Sequence, residues 1–366
     1  MKKFLVAAVA ALAPLWAGSQ LLIGQTAGFS GPVAAGVKET TEGAKLWIDS
    51  VNARGGVHGQ KIELLSLDDK FEPPLAAANA KVLIEEKNVL AMFLNRGTPH
   101  TEGILPLLDS HGVALVAPST GAMVLHQPVR RTVFNVRSSY QREAEKAVSH
   151  LHTLGITRMA VVHADDSFGQ DGLEGASKGF AKAGLQPVAV IKASRAKPDY
   201  ATIIPALTAK EAQAVLWIAS GNAVADGVKA LRAAKSAAQV VTLSNNASAG
   251  FIKSLGEDAR GVIITQVFPS ERSFAYAFIK EAAGLAREKS LELSPAMLEG
   301  YAAAKVLVEG LRRAGPNPTR ARVIAALEGL RKFDVGGLEV SFGPEDHTGL
   351  DFADLSIVGA DGKFKR

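Results

Sequence analysis

The sequence predicts an α/β protein of two doubly wound lobes, and three observations carry that prediction. Short apolar runs of four to seven residues alternate with longer stretches of helical periodicity. The alternation starts afresh near residue 140. The chain, at 366 residues, is long enough for two domains of ordinary size. Composition agrees: 47% hydrophobic and 21% charged residues are a globular balance, and 35 glycines with only 6% aromatics suit many short αβ turns better than a β-sandwich.

The elements follow in order. Lys2 and Lys3 precede an apolar run over 4–17, and Gly18 and Ser19 stand at its exit. That is the layout of a secretory signal peptide. The run is shorter than the roughly 20 residues a spanning helix needs, and Pro14 interrupts it. Cleavage is expected after Ser19, with Ala17 as the close alternative. The leader takes with it two of the five net positive charges. No later segment reaches spanning length, so an exported, soluble protein is expected.

Residues 20–25 read as a strand. A helix over 37–54 places Ala44, Trp47, Ile48 and Val51 on one face and stops at Gly55-Gly56. After a strand at 61–67, Pro73-Pro74 open a helix, since proline suits a first helical turn. A strand at 89–93, a helix around 102–110 and strands at 113–117 and 133–137 complete the first run. The pattern then restarts with a helix over 142–153, a strand at 158–163, a helix over 169–183 and a strand at 185–191. Tyr200, Ile203, Ile204 and Leu207 mark a helix, 215–219 a strand, and Val224, Val228 and Leu231 another helix. Strands at 240–243 and 262–267, helices near 272–288, 295–314 and 319–331, and strand-like tails at 337–342 and 352–358 close the chain. Short strands alternating with helices argue for parallel sheets covered on both faces. Ligands bind such sheets at the carboxyl ends of strands, near the switch in strand order. The loops to read are therefore 26–36, 68–72, 94–100, 117–127, 164–169, 219–223 and 244–249.

Several chemistries are excluded or disfavoured. With no cysteine there is no disulfide, thiolate zinc site, iron–sulfur cluster or cysteine nucleophile. The net charge of +5 is scattered, and Arg130-Arg131 and Arg312-Arg313 are not interleaved with aromatics, so no nucleic-acid partner is expected. Zinc-protease, phosphate-loop and dinucleotide motifs are absent. The string 175–179 matches G-x-S-x-G, but Ser177 falls inside a predicted helix, not on a strand-to-helix turn. His150 and His152, two apart on a helix, face different sides. Asp68-Asp69 and Asp165-Asp166 read as turn formers.

The loops themselves are small and polar. Gly28 to Pro32, Gly97-Thr98-Pro99 and Ser119-Thr120-Gly121 each join glycine to hydroxyl residues. Glycine lets backbone N–H groups approach a ligand, and a following helix N-terminus favours an anion. Each loop taken alone reads first as an ordinary cap or turn, but Thr98 with Ser119, Thr120 and Gly121, at adjacent strand ends, reads as a carboxylate grip.

The order of IGQTAGFSGP, EGAKLWIDSVNARGGVHGQKIELLSLDD and NRGTPHTEGILPLLDSHGVALVAPSTG resembles the branched-chain amino-acid-binding family of periplasmic solute-binding proteins. HADDSFGQDGLEGASKGFAKAGL and GYAAAKVLVEGLRRAGPNPTR continue the resemblance over essentially the whole mature chain. It implies a type I periplasmic binding protein, with two αβ lobes joined by a three-segment hinge. Lobe 1 is expected to hold 20–137 and about 268–336, and lobe 2 to hold 138–267 and about 337–366. The implied function is capture of a small solute for an ATP-driven (ABC) importer in the inner membrane, with no catalysis, cofactor or metal, and as a monomer. A ligand sensor of the same fold is a further alternative. By position, the family's carboxylate-binding turn corresponds to Thr98, and its next one to Ser119, Thr120 and Gly121. Its second-lobe aromatic corresponds to Phe168. Where relatives place a tyrosine, this chain has Ser220-Gly221-Asn222. Where they place the acid that grips an α-ammonium, it has Ser244-Asn245-Asn246. Asn222 and Asn245 thus join the expected site, Phe29 and Phe168 as apolar walls, and Tyr140 as a hydroxyl near the first crossing. The expected ligand is a small carboxylate without need of an amine, such as an aromatic, aliphatic or 2-oxo acid. A branched-chain or aromatic amino acid is the alternative.

Overall fold

A computed structural model describes residues 20–365, and the expected leader at 1–19 lies outside the described residues. The first half runs β1 (Leu21–Ala27), α1 (Ala34–Ala53), β2 (Ile62–Asp68), α2 (Pro73–Lys81), β3 (Ala91–Phe93), α3 (Thr98–His111), β4 (Ala114–Val116) and β5 (Val133–Phe134). There follow α4 (Tyr140–Thr153), β6 (Met159–Ala164), α5 (Ser167–Ala183), β7 (Ala189–Ala193), α6 (Tyr200–Ala209), β8 (Ala214–Ile218), α7 (Asn222–Ala233), β9 (Gln239–Thr242), α8 (Ala249–Leu255) and β10 (Ile263–Gln266). The chain ends with α9 (Ala277–Glu288), α10 (Pro295–Arg313), α11 (Arg320–Glu328), β11 (Phe333–Asp334), β12 (Glu339–Val340), β13 (Asp354–Val358) and β14 (Phe364–Lys365).

Two sheets result. The first has strand order β2-β1-β3-β4-β5, all parallel, with Ile23 level with Leu64 on one side and Ala91 on the other. The second has order β14-β13-β10-β9-β8-β6-β7. Its five inner-numbered strands are parallel, while β13 and β14 return antiparallel. The tail departs from the parallel expectation: β13 enters from the last crossing segment and runs against β10, and β14 runs against β13 because a short turn joins them, which only antiparallel strands permit. Central strands β6 and β8 are buried along their whole length, whereas edge strand β7 alternates, as one covered face dictates. Helices α1, α9, α10 and α11 cover one face of the first sheet, and α2 and α3 the other. The second sheet is likewise covered on both faces. The chain passes between the sheets three times: after β5, after β10 and after β12.

The local departures from expectation have physical causes. Strand 133–137 shortens to β5 because Asn135 N–H donates instead to His347, and Gly349 and Leu350 donate to Asn135 and Val136, so two crossing segments pair with each other. Strand 185–191 shifts to β7 because Gly184 ends α5 in the left-handed region and Leu185 N–H closes on Phe180. The seven-residue α8, absent from the sequence reading, is too short for a periodic signal and depends on its Ser248 cap. The 337–342 strand reduces to the hairpin of β11 and β12.

Glycine sets the closest helix contacts. A Cβ on Gly300 would lie 1.7 Å from Thr40 O, and one on Gly43 1.9 Å from Met297 O, so α1 and α10 cross backbone to backbone. The G-x-S-x-G string does the same for α4 and α5: a Cβ on Gly175 would lie 2.4 Å from Gln141 Cα. Ser177 Oγ merely donates back to Leu173 O at 2.9 Å.

Candidate ligand-binding cleft

Strand order switches between β1 and β3 in the first sheet and between β6 and β8 in the second. The loops leaving those strands face each other across a cavity of about 930 Å³. Its apolar lining includes Phe71, Phe168, Pro32, Pro73, Pro99 and Pro198. A smaller cavity of about 250 Å³ adjoins it, and Arg96 and Asn222 line both.

Arg96 belongs to the loop after β3. Leu94 and Gly97 both take positive φ, +51° and +96°, and turn the loop sharply. A Cβ on Gly97 would lie 2.4 Å from His100 Nδ1, so the turn requires glycine. The guanidinium of Arg96, 5% exposed, donates to Ser119 Oγ at 3.3 Å and to the backbone carbonyl of Asn245 on the opposite lobe. Among the described residues it is in no ion pair. The neighbouring cation Arg137 is different, since it pairs with buried Glu143 and lies 3.8 Å from Glu299. Glu143 and Ser244 tie that pair into lobe 2, through Ser244 N–H to Glu143 at 2.9 Å and Arg137 to Ser244 Oγ at 2.7 Å.

The expected site residues divide. Thr98 opens α3, lines the cavity and shares a 2.8 Å hydrogen bond with Thr120 Oγ1. Tyr140, Phe168 and Asn222 also line it. The Tyr140 and Phe168 rings meet edge to face at 4.7 Å, and Arg137 stacks over Tyr140 at 4.6 Å. Burial pushes the Tyr140 phenol up, so it stays a neutral hydroxyl. Ser119, Thr120 and Gly121 stand one layer behind the wall. Ser119 Oγ donates to Glu299 at 2.8 Å, and Gly121 packs against the crossing segment, its carbonyl accepting from Tyr140 N–H. Phe29 packs with Val33 and Phe71 in a small cluster at the rim. Asn245 lines the smaller cavity; its Nδ2 donates to Ala219 O and Ser220 Oγ, while its buried Oδ1 has no partner. Asn246 is fully engaged with Gly221, Ala219 and Thr242.

The paired aspartates build loops. Asp68 accepts from Ser30 and Lys70, and Asp69 from Phe71 N–H and Thr26. Burial raises Asp69 to about 6. Asp166 caps α5 through Gly169 N–H, and Asp165 holds Arg195 N–H.

Arg96, Phe71 and Arg195 are cavity residues that the sequence reading did not single out. Arg195, on the loop after β7, pairs with Asp166 at 2.9 Å and lies 4.3 Å over the Phe71 ring of the opposite lobe. Phe71 stacks on His100 at 4.6 Å. Burial, then the neighbouring arginines, holds His100 down to about 4, so it is neutral at pH 7. The lobes meet again where Gly221, at φ +53°, faces Pro32: a Cβ there would lie 1.9 Å from Pro32 O. Glu39 on α1 accepts from Ala249 and Gly250 N–H at the start of α8. Among the described residues no group of three metal-ligating side chains comes together, and no helix is long and apolar enough to cross a membrane.

A model of the periplasmic binding protein family matches residues 20–361. The chain is 27% identical over 341 residues to the Leu/Ile/Val-binding protein BraC3 of Rhizobium johnstonii, covering 91% of this chain and 90% of that one. Among solved structures it is similar to a substrate-binding periplasmic protein from Ralstonia solanacearum, at 30% identity and TM-score 0.87 over 94% of this chain and 99% of the other. It is also similar to a possible leucine/isoleucine/valine-binding protein from Rhodopirellula baltica SH 1, at 26% identity and TM-score 0.88 over 97% and 98%.

Proposed function

Since the chain belongs to the periplasmic binding protein family that includes the Leu/Ile/Val-binding proteins, solute receptors of ABC importers, we propose that its own solute is an organic carboxylate without an α-ammonium. The observation that carries this reading is Arg96. Arg96, a residue 5% exposed, is held by a hydroxyl and a backbone carbonyl, and among the described residues its guanidinium has no carboxylate in direct ion-pair contact at the cavity wall. A buried charge is costly by several kcal/mol unless paired. A ligand carboxylate supplies the missing charge through hydrogen bonds worth roughly 1.5–3 kcal/mol. An α-ammonium in the same place meets a like charge, and the turn Ser244–Asn246 offers it no carboxylate. Thr98 and Tyr140 add hydroxyls, and Phe168 an apolar wall.

A second reading keeps a branched-chain amino acid, favoured by the name of the Rhizobium relative. In that case Asp226, exposed on α7 at the cavity wall, is the acid placed to meet the amine. We further infer export through the leader 1–19, action as a monomer, and transient docking on an inner-membrane permease.

Calorimetric titration of leucine against 4-methyl-2-oxopentanoate, and of phenylalanine against 3-phenylpropionate, separates the two readings. The acid should bind more tightly in both pairs, and Arg96→Gln should weaken it about tenfold or more, as loss of a charged hydrogen bond implies. Tighter binding of the amino acid in both pairs overturns the proposal and restores the amino-acid reading.

A further inference from the structure

Arg195 stands on the opposite lobe from Arg96, and its surroundings are of another kind. Its Nη1 is bonded to Asp166 Oδ2 at 2.9 Å, and its backbone N–H to Asp165 at 2.8 Å. Asp69 and Asp165 add further negative potential at the guanidinium. Its charge is thus already matched. Its Nη2 has as its nearest partner only His100 Nδ1, at 3.5 Å. That is longer than an ordinary hydrogen bond, so Nη2 has no acceptor at close range. The guanidinium carbon lies 4.3 Å from the centre of the Phe71 ring, and both side chains line the cavity.

We propose that Arg195 is a specificity-determining residue that reads a neutral hydrogen-bond acceptor, a hydroxyl or carbonyl oxygen, at the end of the ligand remote from its carboxylate. The inference rests on the carboxylate reading above and names the other half of the solute. The solute is a monoacid with a flat or apolar body and a neutral polar end, spanning from Arg96 on one lobe to Arg195 on the other. A second carboxylate at Arg195 gains little, because Asp166 already compensates the charge and Asp165 and Asp69 repel it. An ammonium there meets the guanidinium itself. A neutral oxygen satisfies Nη2 without disturbing the Asp166 pair, and the body packs against Phe71 and Phe168. Because Phe71 and Arg195 come from different lobes, engaging Arg195 also favours the lobes remaining together.

The test is a matched set of acids titrated into the mature chain: benzoate and 3-phenylpropionate, each plain and with a 4-hydroxyl, 4-carboxyl or 4-aminomethyl group. In at least one of the two lengths the hydroxyl should tighten binding about fivefold or more, and the charged groups should not. In Arg195→Met, shown to be folded by its melting curve, the hydroxyl-to-plain ratio should fall to about one. Equal binding of hydroxylated and plain acids by the unmodified protein at both lengths overturns this inference alone. So does a hydroxyl preference that persists in Arg195→Met, or a dicarboxylate that binds most tightly. Failure of every plain acid to bind overturns the carboxylate reading, and this inference with it.

Discussion

Asn245 is the residue on which ligand class turns. Its backbone carbonyl receives Arg96 across the cleft while its side-chain Oδ1 has no partner. Asn245→Glu places a carboxylate beside that guanidinium. Arg96 then acquires a protein partner, acid binding should weaken about tenfold or more, and an amine gains an anionic neighbour. Titration of leucine and its 2-oxo analogue into the variant should show the preference narrowed or reversed; an undiminished preference for the acid would place the ligand away from Arg96. The sequence made part of this site legible. Thr98, Tyr140, Phe168 and Asn222 stand on the cavity wall; Thr98, Phe168 and Asn222 are readable from a strand-end position or a family correspondence, and Tyr140 from its place near the first crossing. Arg96 lies in a strand-end loop, but a single arginine among glycines and hydroxyls has neither motif nor periodicity to mark it. Arg195 is harder still to read from sequence. The apolar pattern puts its strand at 185–191 while β7 ends at Ala193, so the loop at 194–199 falls away from the expected strand end, and a lone loop arginine carries no periodic signal.

Among the elements, the pairing of α1 with α10 is set by two glycines that have no conformational reason to be glycine. Neither Gly43 nor Gly300 has a positive φ; each is in a helix interior, where alanine has the better propensity by about 1 kcal/mol. Gly300→Ala nevertheless drives a methyl onto Thr40 O. Forced separation of packed helices costs about 1–3 kcal/mol, more than the propensity gain. Urea denaturation should show the variant destabilised, and an unchanged or raised midpoint would mean that the helices yield freely. Such contacts explain what a sequence can reveal about elements. Helices with a sustained apolar stripe, such as α4, α5 and α10, were legible, as were buried strands like β6. The short α8 was not, nor were the limits of β5 and of the β11–β12 hairpin: α8 depends on its Ser248 cap and the remote Glu39 carboxylate, β5 is cut short by the remote 347–350 segment, and the hairpin keeps only two paired residues in each strand. The direction of β14 follows from its short turn and that of β13 from the crossing segment it enters by, neither of which an apolar pattern encodes.

At the scale of the molecule, the two lobes touch on both flanks of the cavity, through Pro32 with Asn222 on one side and Phe71 with Arg195 on the other. A solute cannot easily enter such an arrangement, so the free protein should spend time with the lobes further apart, and a bound acid should draw them together. Small-angle scattering is expected to show a smaller radius of gyration on addition of a binding acid; no change with binding verified by calorimetry would argue against hinge motion. The bare Gly221 opposite Pro32 gives that motion a further meaning. Any side chain at position 221 acts as a doorstop: the cavity is still open to visitors, yet the two rims never seat. If an importer inspects the outer contour of its courier and not the parcel within, a Gly221→Val protein would carry its cargo and still be refused at the gate.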